Sequence, residues 1–228
     1  MSCSENDSEE FKQIYNTIDQ LISQAKHNDQ HYSNLEHRFR YLAIGIHEMT
    51  NFDQQYVEYR GTYNPEQQQR ILHSKQQGET RLQNFLNEFK ALRIAFIEKF
   101  DLLIKTAEYV LNEIISKHLS NWRENQILVG NGFQPIDPEV LNKIQNWCEN
   151  LVQILWEMRK QLKSVPMYVE QLNNEDERLP NLLNEFSTKV DKLIHILMKQ
   201  TIIVEAQPPQ VLKTNTKYIK DIYFLSKF

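Results

Sequence analysis

The sequence contains very few residues that interrupt helices. Its first proline is Pro65 and the next is Pro135, and the 228-residue chain has five glycines in all. Proline removes a backbone donor and glycine raises the entropic cost of ordering the backbone, so both residues disfavour helix interiors. Their scarcity leaves long stretches before and after Pro65 free to form continuous helices. We therefore predict a chain built from long helices.

Other absences narrow the class of protein. Two cysteines, Cys3 and Cys148, do not make a disulfide framework and fit a reducing compartment. No apolar run approaches the length of a membrane span, and the opening MSCSENDSEE lacks the basic flank and apolar core of a leader peptide. A net charge of -4 argues against sequence-blind attraction to nucleic acid. These features predict a cytoplasmic and nuclear chain without membrane insertion.

Apolar residues recur at every third or fourth position from Phe11 to Met49. The members of this stripe are Phe11, Ile14, Ile18, Leu21, Ala25, Asn28, Tyr32, Leu35, Phe39, Leu42, Ile46 and Met49. A sustained 3.5-residue spacing is typical of a coiled-coil seam, because only a supercoiled helix keeps such a stripe facing its partner. We predict a first helix from Glu9 to Tyr63, preceded by a disordered start over residues 1–8.

The second predicted helix follows the turn dipeptide Asn64-Pro65 and runs from Glu66 until it frays after Trp122, before a turn at Gly130-Asn131-Gly132. Its apolar stripe is broader than that of the first helix. The stripe comprises Leu82, Phe85, Phe89, Leu92, Phe96, Phe100, Leu103, Ala107, Val110 and Ile114, with Leu86, Ile97, Ile104, Leu111 and Ile115 beside it. A stripe of that width favours a helix with two neighbours, as in a four-helix bundle.

The third predicted helix starts with Asp137 as N-cap and Pro138 at the first helical position. Its stripe continues to Leu172, across Pro166, where we expect a kink and not an end. A fourth helix is predicted near Pro180–Gln200. The predicted fold class is all-α: an antiparallel four-helix bundle over residues 9–200.

The pattern changes after the fourth helix. Thr201–Ala206 is a β-branched run, and apolar and polar residues then alternate from Leu212 to Tyr218, which indicates strands. Two strands do not make a stable β domain alone. We predict a short β-like C-terminal extension over residues 201–228.

No catalytic, cofactor-binding or metal-binding residue is predicted. His27 and His31 lie one helical turn apart, but no cysteine or carboxylate cluster completes a metal site, so a solvated helix face is the preferred interpretation. His47-Glu48 lacks the second histidine of the zinc-protease motif.

Cys148 and the tryptophans each have a functional and a structural interpretation. Cys148 lies on the third helix's stripe, which favours a buried, inert thiol over a redox thiol. Trp122, Trp147 and Trp156 are candidate partner anchors, since tryptophan is enriched in interface hot spots. Trp147 and Trp156 flank the stripe, so packing in the core or at its edge is preferred for both.

Three segments together resemble the signal transducers and activators of transcription, the STAT family. They are LSNWRENQILVGNG, IQNWCENLVQILWEMRKQLK and TIIVEAQPPQVLKTNTKY. The likeness is greatest to the branch that includes the prolactin-responsive members and the insect protein. The resemblance implies the family's four-helix coiled-coil domain over residues 9–200 and the truncated beginning of an immunoglobulin-like DNA-binding domain over residues 201–228. From this resemblance we expect the chain to lack the family's other domains.

The resemblance also implies a function. The chain is expected to be a protein-interaction module of a transcription factor in cytokine receptor and JAK signalling. Its expected partners are regulators, the receptor and import factors, and it is also expected to form a homodimer. DNA binding is expected only in a full-length family member, so the lysines Lys213, Lys217, Lys220 and Lys227 are interpreted as protection of a strand edge. The alternative is a structural coiled-coil tether that self-associates through its first helix. An enzyme is not expected.

Overall fold

The computed structural model describes residues 5–131, 138–170, 178–204 and 222–224. Within these residues the chain forms five α-helices, one π-helical segment and two short strands. They are α1 (Glu5–Tyr59), α2 (Pro65–Glu113), the π-helical segment Ile114–Leu119, α3 (Ser120–Gly130), α4 (Pro138–Glu170), α5 (Arg178–Gln200), β1 (Ile202–Val204) and β2 (Ile222–Phe224).

The helix α2, the π-helical segment and α3 form one uninterrupted helix. Glu113 and Ser120, which flank the π-helical segment, both have right-handed helical dihedrals. The backbone N–H at the Ser120 cap donates to the Ile115 carbonyl, five residues earlier, which is the hydrogen bond of a π turn. The Ser120 hydroxyl donates to the same carbonyl at 2.9 Å. The described helices therefore make four long helical elements, and the predicted all-α, four-helix fold is confirmed.

The helix ends differ from the predicted ends by a few residues. Helix α1 begins at Glu5 and ends at Tyr59, four residues earlier at each end than predicted. Asn64 and Gln67 form a reciprocal capping box at the start of α2: the Gln67 amide donates to Asn64 Oδ1 at 2.8 Å, and the Asn64 amide donates to Gln67 Oε1 at 3.0 Å. Because Asn64 caps α2, residues 60–63 form the turn between the two helices.

The later helices also extend beyond some predicted limits. Helix α3 continues through residue 130, well past the predicted fraying at Trp122. Helix α4 starts at Pro138 as predicted and passes through Pro166 without ending, while α5 starts two residues before Pro180. Asp137, Leu172 and residues 1–4 lie outside the described residues.

The chain divides into two compact units, and the smaller one is a helical hairpin over Lys26–Phe100. Residues early in α1 contact residues late in this part of α2, and residues late in α1 contact residues early in α2, so the two helices are antiparallel. These contacts include Phe39 with Phe89, Arg38 with Glu88 and Asp53 with Lys75. The apolar side chains Leu35, Phe39, Leu42, Phe89, Phe96 and Phe100 are buried in this hairpin.

The other unit comprises residues 1–25 and 101–228, and it contains the four-helix core. Phe11 of α1 contacts both His118 of the π-helical segment and Trp147 of α4, and α4 packs along α5. The predicted stripes of the last two helices are buried at Ile144, Cys148, Leu151, Leu155, Met158, Leu162, Val165, Leu183, Phe186, Val190, Leu193 and Leu197. The sequence period therefore placed these side chains correctly.

Two polar contacts fix α5 in this unit. Arg159 Nε of α4 lies 2.8 Å from Asp191 Oδ1 of α5. The Arg123 guanidinium of α3 donates to the Gln200 carbonyl at 2.6 Å, so a cation satisfies one of the last carbonyls of α5. Thr201, fully buried, donates its amide and its hydroxyl to the Leu197 carbonyl and ends the helix.

The strands β1 and β2 pair antiparallel, with Ile203 opposite Tyr223. Strand β1 falls inside the predicted run Thr201–Ala206, whereas β2 lies in a segment for which no strand was predicted. The predicted strand Leu212–Tyr218 and the late lysines Lys213, Lys217 and Lys220 lie outside the described residues, as does Lys227.

Candidate protein-interaction surface

The hairpin carries apolar side chains that its two helices do not cover. Within it, no apolar side chain between Leu42 and Phe89 is buried, although the apolar pattern continues through that part of the sequence. Exposed examples are Tyr41 at 53%, Ile44 at 55%, Val57 at 62%, Leu72 at 49% and Phe85 at 37%. Two helices share one seam and leave the rest of a broad apolar face in water. Such a face is typical of an interaction surface.

This face contains a groove between the two helices. One part, of about 600 Å³, is lined by Tyr41, Ile44, Gly45, Glu48, Met49 and Phe52 of α1 and by Ser74, Lys75, Gly78, Arg81, Leu82 and Phe85 of α2. A second part, of about 540 Å³, is lined by Asn34, His37, Arg38, Tyr41, Phe85 and Leu92. Tyr41 and Phe85 border both parts, so we treat them as one feature, the hairpin groove.

Two glycines inside helices shape the hairpin groove. A Cβ atom at Gly78 would lie 2.6 Å from Met49 Cε, and one at Gly45 would lie 3.2 Å from Leu82 Cδ1. Glycine in a helix interior costs about 1 kcal/mol relative to alanine. In return, the missing side chains let Met49 and Leu82 pack against the opposite backbone and leave a concave surface above them.

The charges around the hairpin groove are of both signs. Lys75 bridges Asp53 at 2.7 Å, and that hydrogen bond is the main cause that raises the pKa of Lys75. Arg38 pairs with Glu88 at 3.2 Å across the hairpin. Glu48 on α1 and Arg81 on α2 are both exposed, and neither takes part in an ion pair with any residue that the structure describes. The groove thus offers one acidic and one basic group to an incoming surface.

His27 and His31 are not brought together with further metal ligands. Within the described part of the chain, no three histidine, cysteine or carboxylate side chains are grouped for a metal ion. The Nε2 atom of His31 instead contacts the Lys99 ammonium. Burial, more than the nearby charge of Lys99, lowers the pKa of His31 and favours the neutral ring. His47 contacts Asn51 at 3.1 Å, and the next residue, Glu48, borders the groove.

Cys148 is fully buried in the four-helix core. Burial, with a smaller effect from Glu149, raises the pKa of the thiol to about 12. A thiol in this environment stays protonated and is a poor nucleophile. The structural interpretation of Cys148 therefore agrees with its position.

The three tryptophans have different environments. Trp147 is 2% exposed and Trp122 is 6% exposed, so both belong to the core. Trp156 is 46% exposed with Arg159 over its ring at 5.3 Å, so its predicted packing in the core or at its edge is wrong. Trp156 lies one position from the buried Leu155, and the spacing of an apolar stripe does not determine how deeply a side chain at its edge is buried.

Sequence reasoning missed the aromatic cluster around Trp147. His118 is buried, and its ring centroid lies 5.0 Å from that of Phe11 and 4.9 Å from that of Trp147. His118 lies four residues after Ile114, on the same face of the helix, but histidine is polar and an apolar pattern does not count it. No membrane-spanning helix is found among the residues that the structure describes.

Comparison with known proteins identifies related sequences and folds. The family model for the STAT transcription factor, coiled-coil domain, matches residues 3–194. A curated "Signal transducer and transcription activator" of Anopheles gambiae is 28% identical over 173 residues, which cover 70% of this chain and 23% of that protein. The chain therefore spans about a quarter of that relative's length.

A solved structure shares the fold. The chain resembles one from "Crystal Structure of STAT2 in complex with IRF9" with a TM-score of 0.60 and 16% sequence identity. The match covers 82% of this chain and 98% of the other. At that identity the likeness concerns the fold alone.

Proposed function

The chain belongs to the STAT transcription factor family through its coiled-coil domain, and on that premise we propose that it is a protein-docking module in cytokine receptor and JAK signalling. The family consists of signalling transcription activators, which are not enzymes. The proposed partners are regulators of transcription, the receptor and nuclear import factors. They would act on a chain that moves between cytoplasm and nucleus.

The observation that carries the proposal is the hairpin groove. It combines exposed aromatic and aliphatic side chains, Tyr41, Ile44 and Phe85, with charged groups at its border. Aromatic anchors in a concave apolar surface are the features that dominate binding energy in protein interfaces. The complex named for the structural relative, STAT2 with IRF9, lends support to a protein partner for this fold.

A competition experiment in cells tests this proposal. The chain is expressed in cells with a cytokine-induced reporter gene. If the chain occupies partners of the full-length protein, reporter output falls as its expression rises. We expect the variant Ile44→Asp/Phe85→Asp to lose this inhibition, because two carboxylates make the apolar surface costly to bury.

The matched control is Lys90→Glu/Glu98→Arg, which changes charges on exposed residues of α2 that do not border the groove. It should inhibit as the parent chain does. Circular dichroism and thermal melting of all three proteins verify equal folding. Equal inhibition by the parent and the Ile44→Asp/Phe85→Asp variant would refute docking through the hairpin groove.

Two further parts of the proposal concern the domain layout. Residues 9–200 would form the coiled-coil domain, and residues 201–228 the beginning of the immunoglobulin-like DNA-binding domain, without DNA binding of their own. The short β1–β2 pair supports this division. Comparing the unfolding of residues 1–200 with that of the whole chain tests it: loss of cooperative unfolding in the shorter form would contradict the boundary.

A structural tether is the second candidate function. It is favoured by the same exposed apolar surface, since self-association would also cover Tyr41 and Phe85. A tether would leave the reporter unaffected.

A further inference from the structure

Trp156 is the one tryptophan of the chain that reaches solvent. It is 46% exposed, whereas Trp122 is 6% exposed and Trp147 is 2% exposed. Tryptophan is highly buried on average, so a ring left in water on a well-packed helix is informative. Tryptophan, tyrosine and arginine are also the residue types most enriched in the hot spots of protein interfaces. The face of α4 that carries Trp156 is therefore a candidate binding surface.

Three basic side chains lie on the same face of α4 as Trp156. Arg159, Lys160 and Lys163 follow it at spacings of three, four and seven residues, which place them on one side of a helix. Lys160 pairs with Glu157 at 2.7 Å, whereas Lys163 is exposed and forms no ion pair with any residue that the structure describes. This part of α4 thus combines a large aromatic ring with available positive charge.

Arg159 is held in place by contacts on two sides. Its Nε atom lies 2.8 Å from Asp191 Oδ1 of α5, and its guanidinium carbon lies 5.3 Å from the centroid of the Trp156 ring. The side chain nevertheless remains 34% exposed. Because a guanidinium has five N–H donors in a planar fork, one carboxylate does not saturate it. An arginine that is already ordered also loses less entropy when a second carboxylate binds.

Helix α5 adds an apolar border to this face. Helices α4 and α5 pack side by side, and only residues 171–177 separate them in sequence, so the two run antiparallel. With Arg159 opposite Asp191, Trp156 lies level with position 194, and Met198 lies about 6 Å farther along α5 at 1.5 Å per residue. Met198 is 40% exposed, and its flexible thioether adapts to apolar side chains of many shapes.

The charges of this part of α4 and of α5 are unevenly satisfied. From residue 151 to 165 and from 178 to 200, every carboxylate already takes part in an ion pair. Three exposed lysines of the same stretches form no ion pair within the described residues: Lys163, Lys192 and Lys199. The charge that remains to be matched by a partner is therefore positive, and it attracts carboxylates.

We propose that Trp156, Arg159, Lys163 and Met198 form a surface, the Trp156 surface, that binds a short acidic segment of a partner protein carrying one apolar side chain. The apolar side chain packs on Trp156, and carboxylates pair with Arg159 and Lys163. From Trp156 to Lys163 the surface is about 10 Å long, which an extended segment covers with about four residues. The Trp156 surface shares no residue with the hairpin groove, so this inference goes beyond the proposed function.

Titration with a synthetic peptide tests the proposal. The probe is a capped peptide in which one phenylalanine precedes three glutamates, and it is added to the full chain in a calorimeter. We expect a Kd on the order of 0.1–1 mM, because so short a segment buries little area. The same peptide with glutamines in place of the glutamates should bind about tenfold more weakly. Tryptophan emission should change on binding, since Trp156 is the exposed ring.

Variants of the chain locate the peptide. Trp156→Ala and Lys163→Glu should each raise the Kd about tenfold, and Trp156→Phe should recover part of the loss. The matched control is Lys90→Glu, which makes the same charge change on an exposed residue of α2 and should bind like the parent chain. Thermal melting verifies that each variant is folded.

Several results would overturn the inference. They are no binding at millimolar peptide, unchanged binding by Trp156→Ala and Lys163→Glu, and equal weakening by Lys90→Glu and Lys163→Glu. A single-stranded oligonucleotide that binds where the peptide does not would also overturn it, because the occupant would then be a nucleic acid. The Ile44→Asp/Phe85→Asp variant should bind the peptide like the parent chain, so the outcome is independent of the reporter experiment. Weaker binding by that variant would place the peptide in the hairpin groove and contradict the proposal.

Discussion

His118 lies edge-on to Trp147, with ring centroids 4.9 Å apart and an angle of 66° between the ring planes. The contact joins the π-helical segment to α4 inside the four-helix core. Phe11 packs on both rings, so α1 shares the same cluster. This aromatic cluster thus joins α1, the π-helical segment and α4.

Replacement of Trp147 should be far more costly than replacement of Trp156. We expect Trp147→Ala to lower the free energy of unfolding by about 3–5 kcal/mol, because it leaves a cavity in the core. Trp156→Ala should cost less than about 1 kcal/mol, since that ring is 46% exposed. Urea denaturation followed by circular dichroism measures both values.

Trp147→Phe is the informative control at this site. The indole Nε1 of Trp147 is buried and has no hydrogen-bond partner among the residues that the structure describes, so phenylalanine removes an unsatisfied donor while it keeps much of the apolar area. Its cost should be clearly smaller than that of Trp147→Ala. Equal costs for alanine at positions 147 and 156 would contradict the packing described for the core.

Cys148 should make the stability of the protein depend on alkaline pH. Burial raises its pKa to about 12 from an ordinary value of 9.0, so between these pH values the unfolded chain releases the thiol proton and the folded chain keeps it. This contribution to stability is complete below pH 9 and falls as the pH rises through 12. The slope is about 1.4 kcal/mol per pH unit for one group.

The measurement compares the parent chain with Cys148→Ala in chemical denaturation at pH 8 and pH 10. Tyrosines and lysines also titrate in this range, and the difference between the two proteins isolates the thiol. The parent chain should lose about 1 kcal/mol more stability than the variant. The native thiol should also react slowly with a thiol reagent, and a rapid reaction of Cys148 would show that it is not buried.

The effect of Gly78→Ala on the free energy of unfolding should depend on the side chain at position 49. Alanine favours the helix by about 1 kcal/mol, but its Cβ would lie 2.6 Å from Met49 Cε, so that the methionine must move. We expect Gly78→Ala alone to be nearly neutral. In a Met49→Ala background the same change should stabilise by about 1 kcal/mol.

A double-mutant cycle with thermal or urea unfolding gives the coupling between these positions. Gly45→Ala provides a comparison, because its Cβ would approach Leu82 Cδ1 less closely, at 3.2 Å. The close approach of the helices at Gly78 would be disproved by additive effects of the two substitutions.

The long helices and their buried faces could be predicted from sequence. The apolar period from Ile144 to Val165 and from Leu183 to Leu197 names side chains that are all buried, because each of these helices has neighbours on its apolar side. The start of α4 at Pro138 was also predictable, since proline has a fixed preference for the first helical turn.

The helix ends and the π-helical segment were predicted less well, because local hydrogen bonds, which the apolar pattern does not show, determine them. The end of α1 at Tyr59 precedes a capping box that needs Asn64 outside the helix, and the π-helical segment is a local change of backbone hydrogen bonding within one long helix. Neither the position of a helix end within four residues nor a single π turn leaves a clear mark in the apolar pattern.

The sequence by itself determined the helical class and the number of long helices, because proline, glycine and apolar spacing act over short distances along the chain. The family was indicated by the resemblance of three specific segments. Only the tertiary structure decided which apolar side chains remain exposed. Ile46 and Leu183 both belong to predicted apolar stripes, yet Ile46 is 38% exposed in a two-helix hairpin and Leu183 is buried among four helices. Burial depends on how many neighbours surround a helix, and that number is a property of the assembled fold.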